Sequence, residues 1–219
     1  MKYFMENIRS VFVKLLKLSG FEPVYSIARS GYLKDSGWFN SFKSGVPIDI
    51  NNNPIPWYTY PSIVFIEKRI NRDMVVFEYG CGSSTLWWAS RVKQVISCEH
   101  SKEWFETVKR QVPANVILHH IEMQPGGEYS QKITEYHEKF DIVIIDGRDR
   151  VNCSKNCLPA LKKGGVVIWD NSDREEYREG QDYLSNFGYN KIDFEGIGPV
   201  NVYSWSTSVF YNKYNCFGI

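Results

Sequence analysis

The chain has 219 residues, of which 43% are hydrophobic and 23% charged, with 26 basic and 25 acidic side chains for a net charge of +1. This length suits one domain of ordinary size with room for a cap, and the composition excludes disorder and a coiled coil. Balanced charge offers no bulk field to nucleic acid or an anionic membrane, so a partner is expected to be a small molecule held by local charge.

In chain order, residues 2–18 place Met5, Ile8, Phe12, Leu15 and Leu16 at helical spacing, with Gly20 as the stop. They predict a cap helix docked on the domain or, with Lys2, Arg9, Lys14 and Lys17, a basic helix resting on a membrane surface. The longest apolar runs there are three residues, short of a signal-peptide core or a transmembrane span. Five scattered cysteines, an odd number with no Cys-x-x-Cys pair, fit neither a disulfide framework nor a zinc knuckle. A reduced, cytoplasmic protein is expected. Residues 46–62 hold four of the nine prolines and three adjacent asparagines, which predicts neither regular helix nor central strand. Trp57, Tyr58 and Tyr60 are costly to leave in water, so this segment is expected to strap the core or wall a binding cleft.

From Met74 the pattern alternates, with strands predicted over 75–79, 95–99, 116–121, 141–146 and 166–170 and helices over 84–92, 102–111 and 152–162. Near-continuous Val/Ile runs separated by helices describe strands of a doubly wound, mostly parallel sheet covered on both faces. After a helix over 175–187 come strands over 191–194 and 206–211, whose short connection predicts an antiparallel pair. The expected division is a cap over 1–73 and a ligand-binding domain over 74–219. Neighbouring His119 and His120 point to opposite faces of a strand, and Cys153 and Cys157, one helical turn apart, read as small buried groups.

The most informative stretch runs VVFEYGCGSST from Val75, a strand end at Glu78 and Tyr79 followed by Gly80, Cys81 and Gly82 and a helix start near Ser84. Two glycines permit a tight turn and close approach of a ligand to the backbone, with Ser83, Ser84 or Thr85 capping the helix. Glu99 closes the second strand seventeen residues beyond Gly82, where a carboxylate accepts hydrogen bonds from a ribose diol. Thr85 stands where a dinucleotide-binding loop carries its third glycine, and Glu78 would repel a pyrophosphate. A ligand with ammonium, sulfonium, carboxylate and ribose fits better, and S-adenosylmethionine has that distribution.

Glu78-x-Gly80-x-Gly82, Glu99, FDIVIIDG and LKKGGVVIWDN, in that order, resemble the class I S-adenosylmethionine-dependent methyltransferases over roughly residues 74–211. The resemblance implies a seven-stranded sheet in order 3-2-1-4-5-7-6 with the last strand antiparallel. It also implies that Glu78, Gly80 and Gly82 border the methionine moiety, Glu99 the ribose, and His100 with Ile121 and Glu122 the adenine. Ligands of such sheets sit beyond the carboxyl ends of the strands, which makes Asp146, Asp170 and Asn171 the candidate catalytic groups, Asp146 also bordering the cofactor. The same three are similar to the set that binds Mg²⁺ in catechol O-methyltransferase and its metal-dependent relatives, although Gly147-Arg148-Asp149-Arg150 departs from that group's lysine-bearing segment. The competing expectation is two acids that cap helices or pair with Arg148, Arg150 and Arg174; facing a cleft, these arginines would suit a carboxylate, phosphate or uronic acid on the substrate. Asn201, Tyr203, Trp205 and Thr207 are expected on a loop that rises toward the 57–60 segment. Together these point to O-methylation of a small polar molecule or saccharide. The alternatives are a non-catalytic S-adenosylmethionine-binding module and an aminopropyltransferase-like enzyme.

Overall fold

The computed structural model describes residues 13–219. Met5, Ile8 and Phe12 of the expected first helix therefore lie outside the described residues. Helix α1 covers residues 13–19 and is followed by α2 (Glu22–Arg29), α3 (Tyr32–Asp35), α4 (Trp38–Ser44) and α5 (Tyr60–Glu67). Leu15 and Leu18 of α1 are exposed, and α2 buries no residue. The following helices are tied to one another and to the C-terminal part of the chain: Tyr32 meets Tyr60 edge to face at 5.9 Å, and Trp38 Nε1 donates to the Asn201 carbonyl at 2.8 Å. No described helix is long and apolar enough to cross a membrane.

The proline-rich segment corrects one expectation, because its last three residues, Tyr60, Pro61 and Ser62, form the first turn of α5. Proline is tolerated there, where the missing N–H would have had no helical partner. Tyr58, Tyr60, Ile63 and Ile66 are all buried.

The alternating region yields β1 (Val75–Tyr79), α6 (Ser83–Ala89), β2 (Gln94–Glu99), α7 (Lys102–Lys109), β3 (Val116–His120), α8 (Glu128–Gln131), β4 (Phe140–Ile145), α9 (Arg150–Cys157), β5 (Leu161–Asp170), α10 (Arg178–Asn186), β6 (Asn190–Gly196) and β7 (Trp205–Tyr211). They form a seven-stranded sheet in order β3-β2-β1-β4-β5-β7-β6. The first five strands are parallel, and β7 runs antiparallel to both β5 and β6. This is the expected order. The helix predicted over 152–162 ends instead at Cys157, gives one 3₁₀ turn over Leu158–Ala160, and β5 starts at Leu161. Pro159 breaks the helix by removing a donor and crowding the preceding turn.

Alternation along the strands sends Val76, Ile142, Ile144, Val166 and Ile168 to one face, under α5 and the Trp87–Trp88 pair of α6. Phe77, Tyr79, Val143, Ile145, Val167 and Trp169 go to the other, under α8, α9 and α10. Both faces are covered, so the site lies at the strand ends.

Candidate functional site

A cavity of about 780 Å³ opens at the carboxyl ends of β1, β2, β4 and β5. One half is the glycine loop. Gly80 adopts φ +92°, a left-handed conformation, and a Cβ there would meet Gly147 Cα at 3.2 Å, so the loops after β1 and β4 touch backbone to backbone. Gly147 is equally constrained, since a Cβ on it would run into the Tyr129 hydroxyl. Gly80 N–H donates to the Cys98 carbonyl at 2.8 Å, and Ser97 Oγ donates to the Gly80 carbonyl at 2.6 Å.

Glu78 lies beneath this loop and is absent from the cavity lining. Its two carboxylate oxygens accept from Ser84 Oγ and Thr85 Oγ1, each at 2.5 Å. Thr85 Oγ1 in turn accepts the Gly82 N–H at 2.9 Å. Thr85, in place of a third glycine, thus ties the loop to the acid below it. Burial pushes the Glu78 carboxyl up to about 7 against these donors, which favour the charged form.

Glu99 lines the cavity from the end of β2. Its Oε1 accepts the His100 and Ser101 N–H groups at 2.9 and 2.8 Å, and its Oε2 accepts the Cys81 N–H at 3.2 Å. Those bonds aim the carboxylate and leave lone pairs for a diol. His100 Nδ1 is 2.9 Å from Oε1 but is not aligned to donate. Ser83, Ser84, Cys81 and His100 line this half, whereas Glu122 is exposed and outside it. Trp104 is a lining residue that sequence reasoning missed: its Nε1 donates to the Cys81 carbonyl at 2.6 Å, and its ring lies 3.6 Å from the position of a Cβ on Gly82. It occupies the first turn of α7, and its place only five residues past Glu99 is the signal the sequence offered.

The other half is built from Asp146, Asp170 and Asn171 together with the cap. Parallel pairing of Ile145 with Trp169 sets Asp146 and Asp170 side by side. Arg150, the second residue of the Asp149-Arg150 pair, is buried between them. It donates through Nη2 to the Asp146 carbonyl at 2.8 Å and to Asp146 Oδ1 at 3.2 Å, through Nε to the Gly147 carbonyl at 3.0 Å, and through Nη1 to the Asp170 carbonyl. Asp170 Oδ1 accepts from Thr207 Oγ1 at 2.6 Å and Trp205 Nε1 at 3.0 Å. Burial pushes Asp170 up to about 6, while Thr207, Arg150 and Trp205 pull the other way. Asp146 is also raised, first by its dry surroundings and then by the Asp170 charge, with Arg150 and more weakly Arg174 opposing. Trp57, Val46, Pro47, Asn201, Tyr203 and Trp205 wall this half, so the proline-rich segment both packs the core, through Tyr58 and Tyr60, and walls the cleft.

The three residues expected to hold Mg²⁺ converge, but the donor set does not fit a divalent ion. A fixed guanidinium already sits against Asp146, and one Asp170 oxygen is committed to two donors. Among the described residues, no group of three or more His, Cys, Asp or Glu side chains is placed to hold a metal.

Residues 77–172 match the family model described as a methyltransferase domain. No curated protein matches the sequence. The structure is similar to the precorrin-6y C5,15-methyltransferase of Geobacter metallireducens, with 14% identity, 69% of this chain and 87% of that chain covered, and a TM-score of 0.55. It is similar to a Streptococcus mutans protein solved in complex with SAH (S-adenosylhomocysteine), with 12% identity, coverage of 69% and 96%, and a TM-score of 0.51. Spermidine synthase from Thermotoga maritima gives 13% identity, coverage of 69% and 57%, and a TM-score of 0.52. At such identities the structural likenesses speak for the fold, and the family model speaks for the stretch that holds the glycine loop and both strand-end acids. Residues 77–172 thus resemble a methyltransferase domain, and the chain has the fold of the class I S-adenosylmethionine-dependent methyltransferases.

Proposed function

We propose that the protein transfers the methyl group of S-adenosylmethionine to an oxygen of a small polar molecule or saccharide. The observation that carries this reading is Asp170, a buried carboxylate in the cavity wall between the glycine loop and the aromatic cap, pushed up to about 6. A base poised near neutral pH is what a hydroxyl acceptor needs.

Gly80–Ser84 would hold the amino-acid end of the cofactor, Glu99 would accept the ribose hydroxyls, and His100 and Trp104 would flank the adenine. Glu78 acts through Ser84 and Thr85 by fixing the loop, and Glu122 lies outside the lining. The acceptor enters from the cap side. Bound there, S-adenosylmethionine would supply an electrophilic methyl carbon with a neutral thioether as leaving group, and Asp170 would take the proton of the acceptor hydroxyl. Arg150 holds the ends of β4 and β5 in register for that transfer, and Asp146 and Asn171 border the reacting atoms. In this reading residues 1–73 serve as the cap and 74–219 as the cofactor domain. Five free thiols suit a reducing, cytoplasmic setting.

Calorimetry with S-adenosylmethionine, its decarboxylated form and NAD tests the cofactor, and S-adenosylhomocysteine release over hydroxylated acceptors tests the reaction. We expect S-adenosylmethionine to bind and turnover to persist in a chelator. Preference for the decarboxylated form would favour an aminopropyltransferase, and binding without turnover of any acceptor would favour a non-catalytic module.

A further inference from the structure

Three acids and three arginines line the cavity: Glu99, Asp146 and Asp170 against Arg148, Arg150 and Arg174. They are not equally committed. Arg150 is buried and spends its guanidinium on Asp146 and on strand-end carbonyls. Arg148 is exposed and, among the described residues, its side chain has no hydrogen-bond or ion-pair partner. Arg174 is nearly half exposed and reaches only Glu176, at 4.0 Å, the outer limit of an ion pair. One unpartnered and one weakly held guanidinium group therefore line the same cavity as Trp57 and Tyr203.

A cofactor sulfonium delivered into this cavity adds another positive charge. Beside it, Arg148 and the weakly held Arg174 disfavour a cationic acceptor and give a neutral one only ordinary hydrogen bonds, whereas an anion completes the electrostatics and is steered inward. Each guanidinium fork matches a carboxylate or phosphate through paired N–H donors, and the exposed faces of Trp57 and Tyr203 suit a sugar or flat ring. We propose that the methyl acceptor is a hydroxylated ring bearing a carboxylate or phosphate group, held by Arg148 and Arg174. This deepens the methyltransferase reading and rests on it.

The test loads wild type and the R148Q/R174Q double variant with S-adenosylhomocysteine, and titrates each with glucose, glucuronate and glucose 6-phosphate while following tryptophan fluorescence. Saturation by glucuronate or glucose 6-phosphate but not glucose is expected, and the tighter of the two identifies the anionic group. The double variant should bind that probe about tenfold or more weakly. Both positions are exposed, so thermal melts and calorimetric affinity for S-adenosylhomocysteine should stay at the wild-type values. Glucose binding as well as its anionic counterparts, unaltered anion affinity in R148Q/R174Q, or no saturation by either anion would overturn the proposal. Failure of wild type to bind S-adenosylhomocysteine would instead remove the methyltransferase reading.

Discussion

Glu78 and Asp170 are both buried acids at strand ends, and their hydrogen bonds assign them different work. Glu78 is enclosed by two hydroxyls and serves the loop; Asp170 stands in the cavity wall. For Asp170 as proton acceptor, kcat/KM should fall on the acid side with a midpoint near its value of about 6, because the protonated form cannot take a proton. Asp170→Asn should lower kcat by about a hundredfold or more and abolish that limb, and a pH–rate profile checks both. Glu78 bears on stability. Its folded value of about 7 exceeds the ordinary 4.5, so the native state keeps a proton that the unfolded chain releases across that window. Its contribution is present below about 4.5 and is lost as pH rises to about 7. Melts of Glu78→Gln should decline less steeply with pH over that range than wild type. At this scale the end-of-strand acids were legible, because strand polarity tells which end faces a ligand. The pairing of these acids with an arginine was among the expectations, but which arginine was not legible: Asp149-Arg150 and Asp173-Arg174 look alike in sequence, yet Arg150 is walled in between two strands against Asp146 and Arg174 is half exposed.

Among the elements, the loop between β1 and α6 is the most tightly specified. Gly80 combines a left-handed backbone with a neighbouring backbone only 3.2 Å from where a side-chain methyl would stand, so Gly80→Ala meets strain and crowding together. We expect a loss of about 1–3 kcal/mol in chemical denaturation, and a weaker S-adenosylmethionine affinity by calorimetry than in a Cys81→Ala control. The glycines were readable as a turn, but the reason for Thr85 was not, since its two bonds need the packed loop. Element boundaries failed where proline decides. Pro159 cuts α9 short of the predicted end, and Pro61 starts α5 inside a segment expected to be irregular. Proline's exclusion from helix interiors is plain in sequence, whereas its place in a first turn depends on what the following residues bury.

For the whole molecule, the doubly wound, mostly parallel sheet and its antiparallel last pair were legible from buried Val/Ile runs and a short final connection, whereas the strand order came from the resemblance to the class I methyltransferases. The cap was legible only as a pair of alternatives, and Tyr58 and Trp57 take one each. Cofactor binding should tighten the whole fold: at a hundred times its dissociation constant, S-adenosylhomocysteine should add about 2.7 kcal/mol. For a chain of this size that raises the melting temperature by roughly 5–10 °C in scanning calorimetry. Absence of a shift at that concentration would remove S-adenosylhomocysteine as a ligand of the native fold.

The backbone N–H of Thr59 in the cap donates to Thr207 Oγ1 at 3.1 Å, and that hydroxyl donates to Asp170 at 2.6 Å. Polarised by the first bond, the hydroxyl is a stronger donor in the second. Lifting the cap would remove that polarisation but would also wet Asp170, and since burial is the larger influence Asp170 would give up its proton more readily, while settling the cap would hold the proton on. A lineage that remodels residues 46–59 to welcome a new acceptor thereby retunes the acidity of its own chemistry, so guest preference and pH optimum drift as one inherited trait.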